Sequence, residues 1–381
     1  MFRHILLGLF FFYVVLRIFI KLRFRFWAEQ PVFHVYNIYY WLFPPGILQH
    51  GPPPLTKYYD PDIQCLTWSD LEVGDKDLFY YLISQHYLNT KEKTTYRPQK
   101  KQIMAYFEGQ GDESYISLAF STKDNRRLVG AMTSRTLLCK VHNHNIKVSY
   151  VDFLCVTTSR RKQGMAPKII YTHYRRSRRL GANPIFLFKR EGTVNFMVPL
   201  AIYQAHAFSC SSIKTNTTRL NPSFRVERIN CANIHIFWHY LKEVEATFPC
   251  FIRPVASHIK TLVQEKLLCI CILLYVDDPI ACYIFRDPQT TYDGKDSLEC
   301  VASYYSTGYR GAFVQAFATV LKTTLAVIPA SILLIESISR NEDLVNETLR
   351  KRSTLWTCPM AYYFYNFIYR PFLPKDVFLL N

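Results

Sequence analysis

The stretch VDFLCVTTSRRKQGMAP, residues 151–167, decides how this chain is read. A short apolar strand runs into a cluster of Arg and Lys carrying one Gly, and then into what reads as a helix opened by Pro. A helix start leaves backbone N–H groups without intrahelical partners and carries the positive end of the helix dipole, so a phosphate is the natural guest of such a corner. Upstream, SYISLAF, RRLVGAMTSRTLLCKV and IKVSYVDFLCV read as successive strands rich in β-branched and apolar residues, with turn signals at residues 123–126 and 142–145. Further upstream, TWSDLEVGDKDLFYYLISQHYL predicts a helix capped at Ser69 or Asp70, with Leu78, Leu82 and Ile83 at helical spacing.

Downstream of the corner, APKIIYTHYRRSRRLG places Ile169, Ile170, His173 and Tyr174 on one helix face, and Gly181 ends the helix. A strand, NPIFLF, follows. This layout resembles the GNAT acyltransferase fold, in which the pyrophosphate of an acyl-CoA docks on the strand-to-helix turn. A basic strand–turn–helix alone is common in α/β proteins and identifies nothing.

Composition sets wider limits. A chain of 381 residues with 49% hydrophobic and 16% aromatic content builds a sizeable core. The net charge of +17 favours polyanions or anionic membrane, but the basic residues are scattered in small groups, so nucleic acid is not an expected partner. The eleven cysteines fit no paired metal spacing, and Cys155, Cys269 and Cys271 lie inside apolar runs. Reduced, buried thiols and no metal site are expected, which points to a cytosolic body.

Residues 5–20, ILLGLFFFYVVLRIFI, carry one charge, Arg17, over a length near the lower limit of about 17–25 residues for a membrane span. No small-residue cleavage site follows, because the next residues are KLRFRFW. Lys21, Arg23 and Arg25 outweigh the basic groups on the other flank, so the positive-inside rule places the body in the cytosol. Packing of this helix on the body is the alternative. FPPGILQHGPPP, residues 43–54, reads as an extended arm, since proline lacks the N–H a central strand or helix interior needs.

At the level of motifs the chain resembles the N-myristoyltransferase family. The family strand E-I-N-F-L-C-V, running into an R-S-K-R-[LV]-A-P type turn, is similar to YVDFLCV and RKQGMAP here, at the same spacing. FWAEQPV resembles F-W-x-T-Q-P-V, and LTWSDLEVGD resembles F-x-W-x-x-L-D-L-x-D. More faintly, VASYYSTG, AYYFYNF and the ending DVFLLN resemble segments of the family's second half.

The resemblance covers roughly residues 24–381 and implies an α+β fold of two tandem GNAT-like halves sharing a saddle-shaped sheet, behind an N-terminal hydrophobic helix. With the apolar segment and the proline-rich arm, the expected divisions are an anchor at 1–22, an arm at 23–66, an acyl-CoA-binding half at 67–215 and an acceptor half at 216–381. It implies acyl-CoA, myristoyl-CoA in the family, as co-substrate and a protein with an N-terminal glycine as acceptor. The amides of Phe153 and Leu154 would form an oxyanion hole at a strand bulge, and the carboxylate of Asn381 would take the amine proton. Cys155 and Val156, then Arg161, Lys162, Gln163, Gly164, Met165 and Ala166, would hold the CoA end, with Arg25, Phe26 and Trp27 lining the thioester and phosphates.

Departures from the family pattern fall mainly on the acceptor side. Asp152 stands where the family has Asn. The family's acidic loop is replaced by NTKEKTTYRPQ, its K-F-G-x-G-D-G loop by RSTLWTCPMAYY, and its Thr after the helix–strand unit by Phe188 or Lys189. The expectation is an active acyltransferase with altered acceptor recognition. The alternative is a catalytically impaired relative serving as a membrane-associated binding or scaffold protein.

Overall fold

Long runs of β-branched and apolar residues, broken by turn residues, fold into a single large sheet. In the computed structural model, which describes residues 2–88, 94–109, 113–121, 127–192, 196–214 and 220–381, the chain begins with α1 (Phe2–Arg23) and α2 (Ile38–Leu42). Then come β1 (Gly46–Ile47), β2 (Gln64–Thr67), α3 (Val73–His86), β3 (Thr94–Tyr96) and α4 (Lys100–Ala105). Three antiparallel strands, β4 (Ser114–Phe120), β5 (Leu128–Val141) and β6 (His144–Val156), lead into α5 (Met165–Arg179) and then β7 (Phe186–Glu191), which lies parallel to β6.

After β8 (Ala201–Ser209), α6 (Cys210–Lys214), β9 (Phe224–Arg228), α7 (Ile234–Thr247), β10 (Cys250–Arg253) and α8 (Ala256–Gln264), the same unit recurs. Antiparallel β11 (Leu268–Tyr275) and β12 (Asp278–Arg286) are followed by the short β13 (Thr290–Tyr292) and then β14 (Lys295–Tyr305). The chain then enters α9 (Arg310–Leu325) and β15 (Ile332–Glu336), parallel to β14. The remaining elements are α10 (Asn341–Lys351), β16 (Trp356–Tyr365), β17 (Phe367–Ile368) and β18 (Val377–Leu379).

The strands run β18-β10-β5-β6-β7-β16-β8-β15-β14-β12-β11-β9 across the sheet. The two units therefore face each other across β16 and β8 and exchange strands. β10 and β18, late in sequence, complete the first unit, while β8 pairs with β15 of the second. The fold is mixed α+β, with one large continuous sheet and a separate two-stranded ladder of β1 with β17.

Two glycines set α5 against this sheet. Gly164, with φ +76°, precedes the helix in a left-handed conformation that a side chain would strain. At Gly130 of β5 a Cβ would meet Ile169 Cδ1 at 2.6 Å, so the bare backbone lets the helix lie close. Gly181, φ +103°, ends the helix as expected, with Ala182 N–H donating to the Ser177 carbonyl at 2.9 Å.

Three expectations are corrected. Ser69 and Asp70 do not cap α3, which starts at Val73 behind Glu72; both bond to the Thr67 hydroxyl in a local turn instead. The segment 23–66 is not extended throughout, since it contains α2 and a two-residue ladder of β1 with β17. Packing of α1 on the body is confined to its C-terminal end, where Ile20 is buried and Leu16 packs beside it; most of the helix is exposed, and it is long and apolar enough to cross a membrane. All eleven cysteines are free and nine are buried, which fits the reduced-thiol reading.

Candidate functional site

The strand β6 breaks its pairing with β5 at the residues singled out in the sequence. Ala131 pairs with Cys155 and Thr133 with Asp152, so Phe153 and Leu154 stand opposite Met132 alone. This is a bulge, and Phe153 takes φ +50°. A non-glycine residue in that region costs on the order of 1–3 kcal/mol. The cost is offset by packing: Phe153 is 4% exposed and its ring lies 5.4–6.1 Å from the rings of Phe79, Tyr87, Tyr96, Tyr106 and Phe107. Each such aromatic pair is worth about 0.5–1.5 kcal/mol beyond its buried area.

The bulge faces a cavity of about 830 Å³ lined from both units. Met132, Val151, Asp152, Phe153 and Leu154 line it from the first, and Arg286, Glu299 and Leu334 from the second. Asp152 Oδ1 accepts the Phe153 N–H at 3.0 Å, so one of the two amides expected to hold an oxyanion already has a partner. Asp152 Oδ2 lies 3.7 Å from Arg135 Nη2. Arg135 is 1% exposed, stacks its guanidinium over Tyr106 at 5.0 Å and Tyr150 at 5.4 Å, and donates to His258 Nε2 at 3.4 Å. A cation held that deep offsets the negative charge beside the bulge.

Beyond β6, the corner opens to solvent. Cys155 and Val156 are buried, while Arg161, Lys162, Gln163 and Gly164 are exposed and Met165 and Ala166 half-buried. Lys162, φ +63°, and Gly164, φ +76°, turn the chain so that α5 starts without a side-chain cap. Its free N–H groups and dipole suit an anion. Arg161 donates Nε to the Val156 carbonyl at 3.2 Å and Nη2 to the His86 carbonyl at 2.5 Å, bracing the turn against α3.

The other expected residues are placed as follows. Trp27 lines the cavity and stacks on Phe188 at 5.5 Å; Phe26 is buried, edge-on to Trp27 and Tyr58; Arg25 is exposed and outside the cavity lining. Asn381 is 1% exposed, and its Oδ1 accepts from Arg286 Nη1 at 2.9 Å, which links it to the cavity wall rather than directly to Phe153 or Leu154. The residues 89–93 of the altered acidic loop lie outside the described residues.

Two ion pairs on the cavity wall were not anticipated from sequence. Arg286 Nε donates to Glu299 Oε2 at 3.0 Å, and Lys189 pairs with Glu336. Burial pushes the Glu299 carboxyl up, but Arg286 and then Lys189 outweigh it and hold it below the ordinary range. His173, from the apolar face of α5, also lines the cavity. It bonds to Ser117 at 2.9 Å and Ser134 at 2.8 Å, and burial lowers its pKa to about 3, so it is neutral. Among the described residues no group of three or more His, Cys, Asp or Glu is placed to hold a metal.

Residues 59–186 match the family model described as Myristoyl-CoA:protein N-myristoyltransferase, N-terminal domain. A sequence comparison with curated proteins gives no match. The fold is similar to that of Saccharomyces cerevisiae N-myristoyltransferase with bound myristoyl-CoA, at TM-score 0.65 and 13% identity over 92% of this chain and 94% of that one. A second structure of the yeast enzyme with bound myristoyl-CoA gives TM-score 0.67 and 11% identity over 91% and 89% of the two chains. The chain thus carries a segment, residues 59–186, that matches the N-terminal domain of that family, and across its length it has the fold of the yeast N-myristoyltransferase.

Proposed function

We propose that the protein is an acyl-CoA-dependent N-acyltransferase that moves a fatty acyl chain, myristoyl by family resemblance, to the N-terminal glycine amine of a protein. The observation that carries this reading is the Phe153 bulge, φ +50°, opening on a cavity shared by both units and followed by an uncapped helix start. Residues 67–215 would bind acyl-CoA, and 216–381 would shape the acceptor site. The turn from Arg161 to Ala166 would receive the CoA phosphates, with Cys155 and Val156 guiding the thioester to the bulge.

The amine nitrogen attacks the thioester carbon, the amides of Phe153 and Leu154 hold the oxyanion, and the C–S bond breaks with the electron pair leaving on CoA sulfur. The Asn381 carboxylate accepts the amine proton in this scheme. The cavity carboxylates Asp152, Glu299 and Glu336 supply negative charge facing the acceptor amine. α1 anchors the protein in a membrane, with the body cytosolic because Lys21, Arg23 and Arg25 flank it on that side.

A second reading rests on the Asp152–Phe153 hydrogen bond. A carboxylate on an oxyanion donor competes with the transition state for that donor and repels its charge. In that case the protein binds acyl-CoA as a scaffold without transferring it.

Labelled myristoyl-CoA and Gly-initiated peptides separate the two. Active transfer predicts acylated peptide from the native chain and about tenfold more from Asp152→Asn, the equivalent of 1.4 kcal/mol off the barrier. Acyl-CoA binding with no transfer by either form would replace the enzyme with the scaffold.

A further inference from the structure

We infer that residues 38–43 form a second membrane contact, seated in the bilayer interface beside the point where α1 leaves the body. This inference rests on the reading of α1 as a membrane helix. α1 is fastened to the body near its C-terminal end: Arg17 lies over the Tyr36 ring at 5.6 Å, Ile20 is buried, and Phe24 stacks on Phe196 at 4.0 Å. The charge-free apolar run ahead of Arg17 extends only from Ile5 to Leu16, and Leu16 already packs against the buried cluster around Ile20. The run rises roughly 18 Å at about 1.5 Å per residue, short of a hydrocarbon core of about 30 Å. Such a short free run holds the body flush against the bilayer, so the surface around the docking point must suit lipid.

That surface does. Tyr36 is followed at once by α2, whose apolar side chains lack a protein cover: Ile38 is 65% exposed, Tyr39 66%, Leu42 62% and the following Phe43 60%. Trp41, 42% exposed, keeps its indole N–H on the Val35 carbonyl at 3.4 Å, packs against Phe33 with ring centroids 5.0 Å apart, and presents its remaining surface. Trp and Tyr favour the headgroup level, where an apolar ring and a polar tip are both accommodated. Basic residues rim the patch: Arg370 donates to the Leu42 carbonyl at 3.2 Å, and Lys21, Arg23 and Arg25 are exposed at the end of α1. Arg370 also lines a groove of about 520 Å³ with Pro44, His142, Tyr369 and Phe372, an aromatic-walled recess at the edge of the patch. An apolar aromatic segment with a basic rim matches a lipid surface carrying anionic headgroups.

The test uses the full chain reconstituted with vesicles of phosphatidylcholine and phosphatidylserine, with and without bromine on the acyl chains. Flotation reads α1, and tryptophan quenching by the brominated lipid reads residues 38–43. The native chain should float and be quenched. Trp41→Phe should float equally and lose most of the quenching, and Ile38→Ser with Leu42→Ser should float with quenching at least halved. A protein that floats but whose quenching is unchanged by Trp41→Phe overturns the second contact and leaves the anchor standing. A native chain that does not float overturns both.

Discussion

The two repeated units of the sheet share a plan and differ at one corner. In the first, β6 bulges at Phe153 and Leu154, and its corner leads into α5. In the second, β14 also carries an extra residue against β12, because Ile284 pairs with Ala302 and Phe285 with Cys300. Val301, the residue left over, is 2% exposed, joins the core and does not take a positive φ. The corner after β14 also holds an arginine, but Arg310 donates Nε to Asp343 Oδ1 of α10 at 2.8 Å. At the first corner Arg161 pairs with no carboxylate among the described residues, and its guanidinium is spent on the carbonyls of Val156 and His86. Neither helix start has a side-chain cap, so the two corners differ in the partner of their arginine and in the bulge, which opens on a cavity only in the first unit.

The largest effect expected from breaking this contrast is at the first bulge. Phe153→Ala removes the ring that holds the positive φ and should destabilise the protein by about 3–5 kcal/mol, read by urea unfolding. Val301→Ala should cost less, because a smaller side chain is lost and no positive-φ backbone depends on it. Equal losses at the two sites would mean that the first bulge is not specially held.

Acid should weaken the fold through its buried histidines. Burial lowers His34 to about 4 and His173 to about 3. The folded pKa lies below the unfolded value of about 6.5, so the unfolded chain gains protons first as pH falls. Stability is full above pH 6.5, and each histidine removes about 1.4 kcal/mol per pH unit below it, until its folded pKa is reached. His173→Gln should flatten its share of that slope; an unchanged slope would contradict the neutral, doubly bonded His173.

Much of this arrangement was legible in the sequence. The strands 114–120, 128–141 and 144–156 followed from their β-branched and apolar content and the turn residues, and Gly181 marked a helix end because only glycine enters that conformation without strain. The bulge was legible only through family resemblance, since nothing in YVDFLCV itself signals a positive φ at Phe153. The ion pairs escaped because Glu299, Glu336, Lys189 and Arg286 lie on separate strands, and only the sheet brings them together. Arg135, a lone cation in the strand segment MTSRTLL, and Asp152 are near-neighbours across β5 and β6, a relation set by register. The Ser69 or Asp70 cap failed because Thr67 offers both side chains a closer partner than the helix.

Titration of the full chain with myristoyl-CoA by calorimetry tests the central claim most directly. If the corner after β6 is the phosphate site, the native chain binds, and replacing Arg161 and Lys162 together by Ala weakens binding at least tenfold, about 1.4 kcal/mol or more. Arg310→Ala, at the compensated corner of the second unit, leaves the affinity unchanged. Binding that survives the double replacement, or that falls with Arg310→Ala instead, would contradict the assignment of the acyl-CoA site to the first unit.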